Sequence, residues 1–156
     1  MQMVCFGVLL MLTATACKKD KQCKEEPIKI WFIIPAGTST GVWQELREDA
    51  LYANLTCSCP SAYCASVRLY LENGESSLDM LQDAELSVVA DSVAAQLGTA
   101  YNVAATNSKT LDFAASTNDP RGYFAKTLLS SKLRYKLRSV PATDTRVRAE
   151  ISIGFN

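Results

Sequence analysis

The stretch Ile28-Lys-Ile-Trp-Phe-Ile-Ile-Pro-Ala-Gly-Thr-Ser-Thr-Gly-Val-Trp43 constrains the fold more than any other part of the chain. Its apolar run, residues 30–34, is short, rich in β-branched and aromatic side chains, and closed by Pro35. That is the pattern of a buried strand. Small and hydroxylic residues follow in Gly37, Thr38, Ser39, Thr40 and Gly41, and then Val42, Leu46 and Ala50 recur at helical spacing. Strand, glycine-and-hydroxyl loop and helix N-terminus together offer free backbone N–H groups and a helix dipole to an anion. The plainer reading is a turn in which Thr38, Ser39 or Thr40 caps the next helix.

Composition narrows the function classes. The 156 residues suit one domain with a real core, and 48% of them are hydrophobic, an ordinary globular share. Sixteen basic and sixteen acidic residues leave no net charge. A nucleic-acid partner or an anionic membrane surface calls for a basic excess, so neither is expected. The chain contains no histidine. Ser-His-Asp and Cys-His catalysis and His-based zinc sites are therefore excluded, and no enzyme activity, cofactor or metal is expected.

Residues 1–16 read as a signal peptide: an apolar stretch from Val4 to Leu12, too short to span a bilayer, ends in the small-x-small pattern Ala14-Thr-Ala16. Cys17 follows, and residues 17–27 form a polar linker or tether. Small residues before a cysteine and a charged linker after it resemble a bacterial lipoprotein signal, which implies lipidation of Cys17. The expected location is outside the cytoplasm, periplasmic or membrane-anchored, or secreted in a eukaryote. Asn54-Leu-Thr56 is a glycosylation sequon with meaning only in the eukaryotic case. Cys5 leaves with the signal. With Cys17 lipidated, Cys23, Cys57, Cys59 and Cys64 remain, an even set able to form two disulfides; otherwise five thiols remain and one is unpaired. The spacing Cys57-x-Cys59-x4-Cys64 is not that of a zinc site.

The rest, residues 28–156, reads as one α/β unit. A helix is expected from about 42 to 54, with Val42, Leu46, Ala50 and Leu51 inward and Glu45, Arg47 and Glu48 outward. Residues 57–64 read as a loop and 67–71 as a second strand, turned by Asn73-Gly74. Ser76 or Ser77 then starts a short helix through Leu78 and Leu81. Residues 86–90 read as a third strand buried on both faces. Asp91 or Ser92 caps a helix carrying Val93, Ala94 and Leu97, stopped by Gly98. This β-α-β-α-β-α order predicts a parallel sheet with flanking helices. Beyond Gly98 the pattern is weaker: residues 99–121 are rich in Asn, Thr, Ser and Ala, 119–122 read as a turn, and 123–129 read as helical. Lys132, Arg134, Lys136 and Arg138 alternate with apolar residues as in a solvated edge strand, and 147–155 read as a last strand.

The order of these segments is similar to the first lobe of the TAXI-type solute receptors of TRAP transporters, which have the type 2 periplasmic-binding-protein fold. The likeness rests on Gly-Thr-Ser-Thr-Gly-Val-Trp43, on Asn73-Gly-Glu-Ser-Ser-Leu-Asp-Met-Leu81, on Ala84-Glu-Leu-Ser-Val-Val-Ala-Asp-Ser-Val93 and, later, on Lys136-Leu-Arg-Ser-Val140. Such receptors have two lobes and about twice this length, so the resemblance implies one lobe only. It implies capture of a small carboxylate-bearing or amino-acid-like solute and its delivery to a membrane permease, without chemistry. Gly37, Thr38, Ser39, Thr40 and Gly41 would hold the carboxylate, Trp43 would pack on the ligand's apolar body, and Ser76, Ser77, Asp91 and Ser92 would line the same crevice. Two other classes compete. One is an exported, truncated α/β domain with a protein-interaction or structural role and no ligand. The other is a phosphate-using enzyme, disfavoured because the loop lacks the Gly-Lys-Thr end of a P-loop.

Overall fold

The computed structural model describes residues 27–48, 62–90, 92–116 and 130–155. Nine strands build it: β1 (Ile28–Ile34), β2 (Trp43–Glu48), β3 (Ala62–Asn73), β4 (Leu81–Ala90), β5 (Val93–Ala100), β6 (Thr110–Asp112), β7 (Ala114–Ala115), β8 (Ser130–Leu137) and β9 (Thr145–Phe155). They form two sheets, of order β1-β9-β3-β6 and β2-β8-β4-β5-β7, and every pairing is antiparallel. Setting aside the two-residue β7, this interleaving is the strand order of a jelly roll, two Greek keys wrapped into a sandwich.

The expected α/β fold with a parallel sheet is therefore corrected. The segment from residue 42, expected to be helical, is strand β2, and the helix after Ser92 is strand β5. Between β3 and β4 only a three-residue 3-10 turn forms, Leu78–Met80. The turn at 119–122 and the helix at 123–129 lie outside the described residues. The basic stripe is strand β8, but β8 sits between β2 and β4 rather than at an edge.

Alternation explains why these residues sandwich. Along β1 every second residue is buried, namely Ile28, Ile30, Phe32 and Ile34, while Lys29, Trp31 and Ile33 face out. The inner faces of β9 (Val147, Ala149, Ile151), β3 (Val67, Leu69), β4 (Leu86, Val88) and β8 (Leu133, Tyr135, Leu137) complete one apolar core. Outward rows are charge-paired across strands. Lys132 meets Glu45 at 3.0 Å, Arg134 meets Glu85 at 2.8 Å and Lys136 meets Asp83 at 3.9 Å. The cations of the stripe thus complement carboxylates on the strands either side of β8.

The registers place the ends of the sandwich. Ile34 opposes Thr145, Asn73 opposes Arg146, Leu81 opposes Leu137 and Trp43 opposes Lys136. One pole therefore carries the four inter-sheet loops 35–42, 74–80, 101–109 and 138–144. The other pole carries the β4–β5 turn, the entry to β1 at Ile28 and the end of β9 at Phe155.

Candidate functional site

The loop pole is cross-braced by its own backbone. Gly37 and Gly41 both sit at φ +74°, in the left-handed region open to glycine. The Gly37 N–H donates to Pro141 O at 3.0 Å and the Gly41 N–H to Leu137 O at 2.9 Å. Thr38 donates its hydroxyl to Pro35 O at 2.7 Å, and the Tyr135 hydroxyl reaches its side chain from the core. Burial raises the Tyr135 pKa. Ala36 N–H donates to an Asp144 carboxylate oxygen at 2.9 Å. The amides of Gly37 and Gly41, expected to hold a carboxylate, are engaged by carbonyls of the neighbouring segment. There is also no helix after the loop to add a dipole.

Of the residues singled out in the sequence, Gly37 to Gly41, Trp43, Ser76 and Ser77 do share this pole. Loop 138–144 links them, because Ala142 N–H donates to Glu75 Oε1 at 2.6 Å while Pro141 accepts from Gly37. Ser77 is buried and accepts from Asp79 N–H at 3.3 Å, a capping role for the 3-10 turn. Ser76 is exposed. Ser92 lies at the opposite pole, in the β4–β5 turn with φ +67°, so it cannot line the same crevice. Asp91, Cys17, Cys23, Cys57 and Cys59 lie outside the described residues. Cys64 is a free thiol on β3, and burial pushes its pKa up to about 11.

The most built feature of the pole is loop 101–109, which the sequence reading passed over. It arches from β5 in one sheet to β6 in the other. The Asp79 carboxylate accepts from Thr106 N–H at 3.1 Å and from Asn107 N–H at 3.0 and 3.1 Å, one bond to each oxygen. Val103 N–H donates to Gln82 O at 2.9 Å, Leu78 N–H to Ser108 O at 2.8 Å, and Asn102 N–H to Asp83 Oδ1 at 2.9 Å. Arg138 donates to Asp79 O at 3.1 Å and also to Val103 O. Asn102 and Asn107, near the two ends of the arch, hold φ +52° and +53°. Non-glycine residues in this region carry strain that the surrounding bonds must hold. Beneath the arch lies a cleft of about 420 Å³.

Beside the arch is an aromatic platform on the outer face of the second sheet. Trp43, 40% exposed, and Tyr101, 52% exposed, meet edge to face with ring centroids 6.4 Å apart. The Arg134 guanidinium lies 4.9 Å from the Trp43 ring centroid. The Tyr101 hydroxyl donates to Glu85, which raises its pKa. Trp43, expected to pack on a ligand's apolar body, is thus a surface residue of the pole whose partners are side chains of this chain. On the other sheet's outer face Glu72 accepts from Trp31 Nε1 at 3.1 Å and pairs with Arg148 at 3.1 Å. Among the described residues no group of three or more Cys, Asp and Glu converges to hold a metal ion.

The one sequence sign of the arch was the run of Asn, Thr, Ser and Ala between two apolar segments, with Asn at both bends. Asn tolerates left-handed backbone better than most residues, so a pair of them marks turn positions. No protein-family model matches the chain, and no curated protein matches it.

Proposed function

We propose that the chain is an exported binding module whose loop pole faces away from its point of attachment. The observation that carries this reading is polarity: the segment expected to be a tether precedes Ile28, which lies at the pole opposite the four inter-sheet loops. A sandwich attached at that end presents loops 35–42, 74–80, 101–109 and 138–144 outward. Binding residues are disproportionately found on loops held by a rigid scaffold. The braced backbone supports this, because preorganised loops lose little entropy on binding. The zero net charge and the absence of histidine argue for recognition without catalysis. The transporter reading placed its ligand at helix N-termini on a parallel sheet, and among the described residues no such helix exists. The interaction reading needs only export and a stable scaffold.

The test is a binding screen of the purified chain on glycan and peptide arrays, with three surface variants. Thr40→Arg or Ala104→Arg, each on a different loop of the loop pole, should lower binding at least tenfold, whichever loop meets the ligand. Val93→Arg, at the opposite pole, should leave it unchanged. Loss at Val93, or no loss at either loop position, contradicts the reading.

A further inference from the structure

The geometry points to the cleft under loop 101–109 as a site for a neutral hydroxylated ring, one sugar unit of a glycan; this rests on the binding reading above and names its site. Four features carry it. The first is size: about 420 Å³ lies within the range of small-ligand sites. The second is preorganisation, since the arch is held by Asp79, Gln82, Asp83 and Arg138 before any ligand arrives. The third is the lining. Leu78 and Leu111 offer apolar surface for the C–H face of a ring, while Thr99, Thr106, Thr110 and the Asn102 amide offer hydroxyl and amide partners for its hydroxyls.

The fourth feature is charge. No Lys or Arg lines the cleft among the described residues. Two carboxylates border it, and both are already engaged: Asp79 by two loop amides and Asp112 by Arg68. The cations that touch its lining are committed elsewhere, Arg138 to the carbonyls of Asp79 and Val103 and Arg68 to Asp112. An anionic ligand would meet the two acids without a cation of its own, and an ammonium ligand would compete with Arg68 for Asp112 and find both oxygens of Asp79 taken, so an uncharged ligand is favoured. This departs from the carboxylate solute that the sequence suggested.

The experiment titrates the purified full chain with galactose, mannose and N-acetylglucosamine, and with succinate and glutamate as charged comparators, by calorimetry and thermal shift. At least one sugar should bind, and neither acid should. Ala114→Phe, which fills the cleft from the exposed strand β7, should weaken sugar binding at least tenfold. Asn102→Gly, which removes the amide yet suits the left-handed backbone, should also weaken it with the melting temperature held or raised. Binding of no sugar, preference for the acids, or unchanged affinity in both variants overturns the inference. Sugar binding that survives both variants but is lost in Thr40→Arg would overturn the cleft assignment while leaving the loop-pole reading in place.

Discussion

In loop 35–42 the amides of Gly37 and Gly41 donate to main-chain carbonyls of the neighbouring segment, whereas in loop 101–109 those of Thr106 and Asn107 donate to the Asp79 side chain. The first arrangement closes backbone against backbone. The second holds the chain away from the body of the sandwich, and a cleft remains beneath it. A glycine-rich loop draws attention in a sequence because glycine is so often used to approach a ligand. Here the same freedom serves a tight inter-sheet connection, and the hollow belongs to a segment without a single glycine.

The comparison breaks most visibly at Asp79. Asp79→Ala should cost about 2–3 kcal/mol in denaturant unfolding, since hydrogen bonds to a charged acceptor are each among the stronger ones. Hydrogen exchange should accelerate at Thr106 and Asn107 and stay unchanged at Gly37 and Gly41. A loss below ~0.5 kcal/mol would mean the carboxylate does not hold the arch. Gly41→Ala should cost about 1–2 kcal/mol, the penalty of left-handed backbone alone, because a Cβ there meets nothing within 4 Å. A larger loss would show that the loop packs more tightly than described.

Tyr135→Phe removes the core hydroxyl that reaches Thr38 and should cost about 1 kcal/mol. Exchange should rise in loop 35–42 and not in the arch. The smallest effect belongs to a site remote from both loops. Burial holds the Cys64 thiol near pKa 11, against an ordinary value of 9.0. The native state then keeps a proton that the unfolded chain releases, so stability should decline as pH rises from about 9 to 11. Cys64→Ala should flatten that decline, and both loops should keep their exchange pattern across it. An unaltered slope in the variant would remove Cys64 from the account.

Much of the strand content was legible and its connection was not. Alternation marked residues inside β3, β8 and β9, a short apolar run marked β1, though its Trp31 and Ile33 face out, and Asn73-Gly74 marked a turn, because period-two burial is a local property. The helices failed for a definable reason. Val42, Leu46 and Ala50 recur at i and i+4, a spacing that shares a face on a helix at 100° per residue and equally on a strand at 180°. In β2 it is the strand that obtains: Leu46 is half-buried, while Glu45 and Arg47 are exposed. Gly98 read as a helix stop, yet a Cβ there would lie 2.9 Å from Phe113 Cβ and 3.0 Å from Ala114 O. It is glycine so that the crossing from β6 to β7 can pack against β5. That contact joins residues distant in sequence, which no local pattern encodes. With two strands, β2 and β5, read as helices, a parallel α/β order followed, and with it a crevice joining Ser76 to Ser92 that the sandwich separates by its full length.

The arch was hidden for a similar reason. Its defining bonds run from residues 102–107 back to 79–83 and forward to 138, and only the two asparagines show locally. The most direct test of the account is therefore a backbone-amide NMR titration of the chain with the sugar that binds best. The account predicts shifts concentrated between Thr99 and Ala114, with Gly37 to Val42 unmoved. Shifts concentrated in 37–42, with the arch silent, would contradict it.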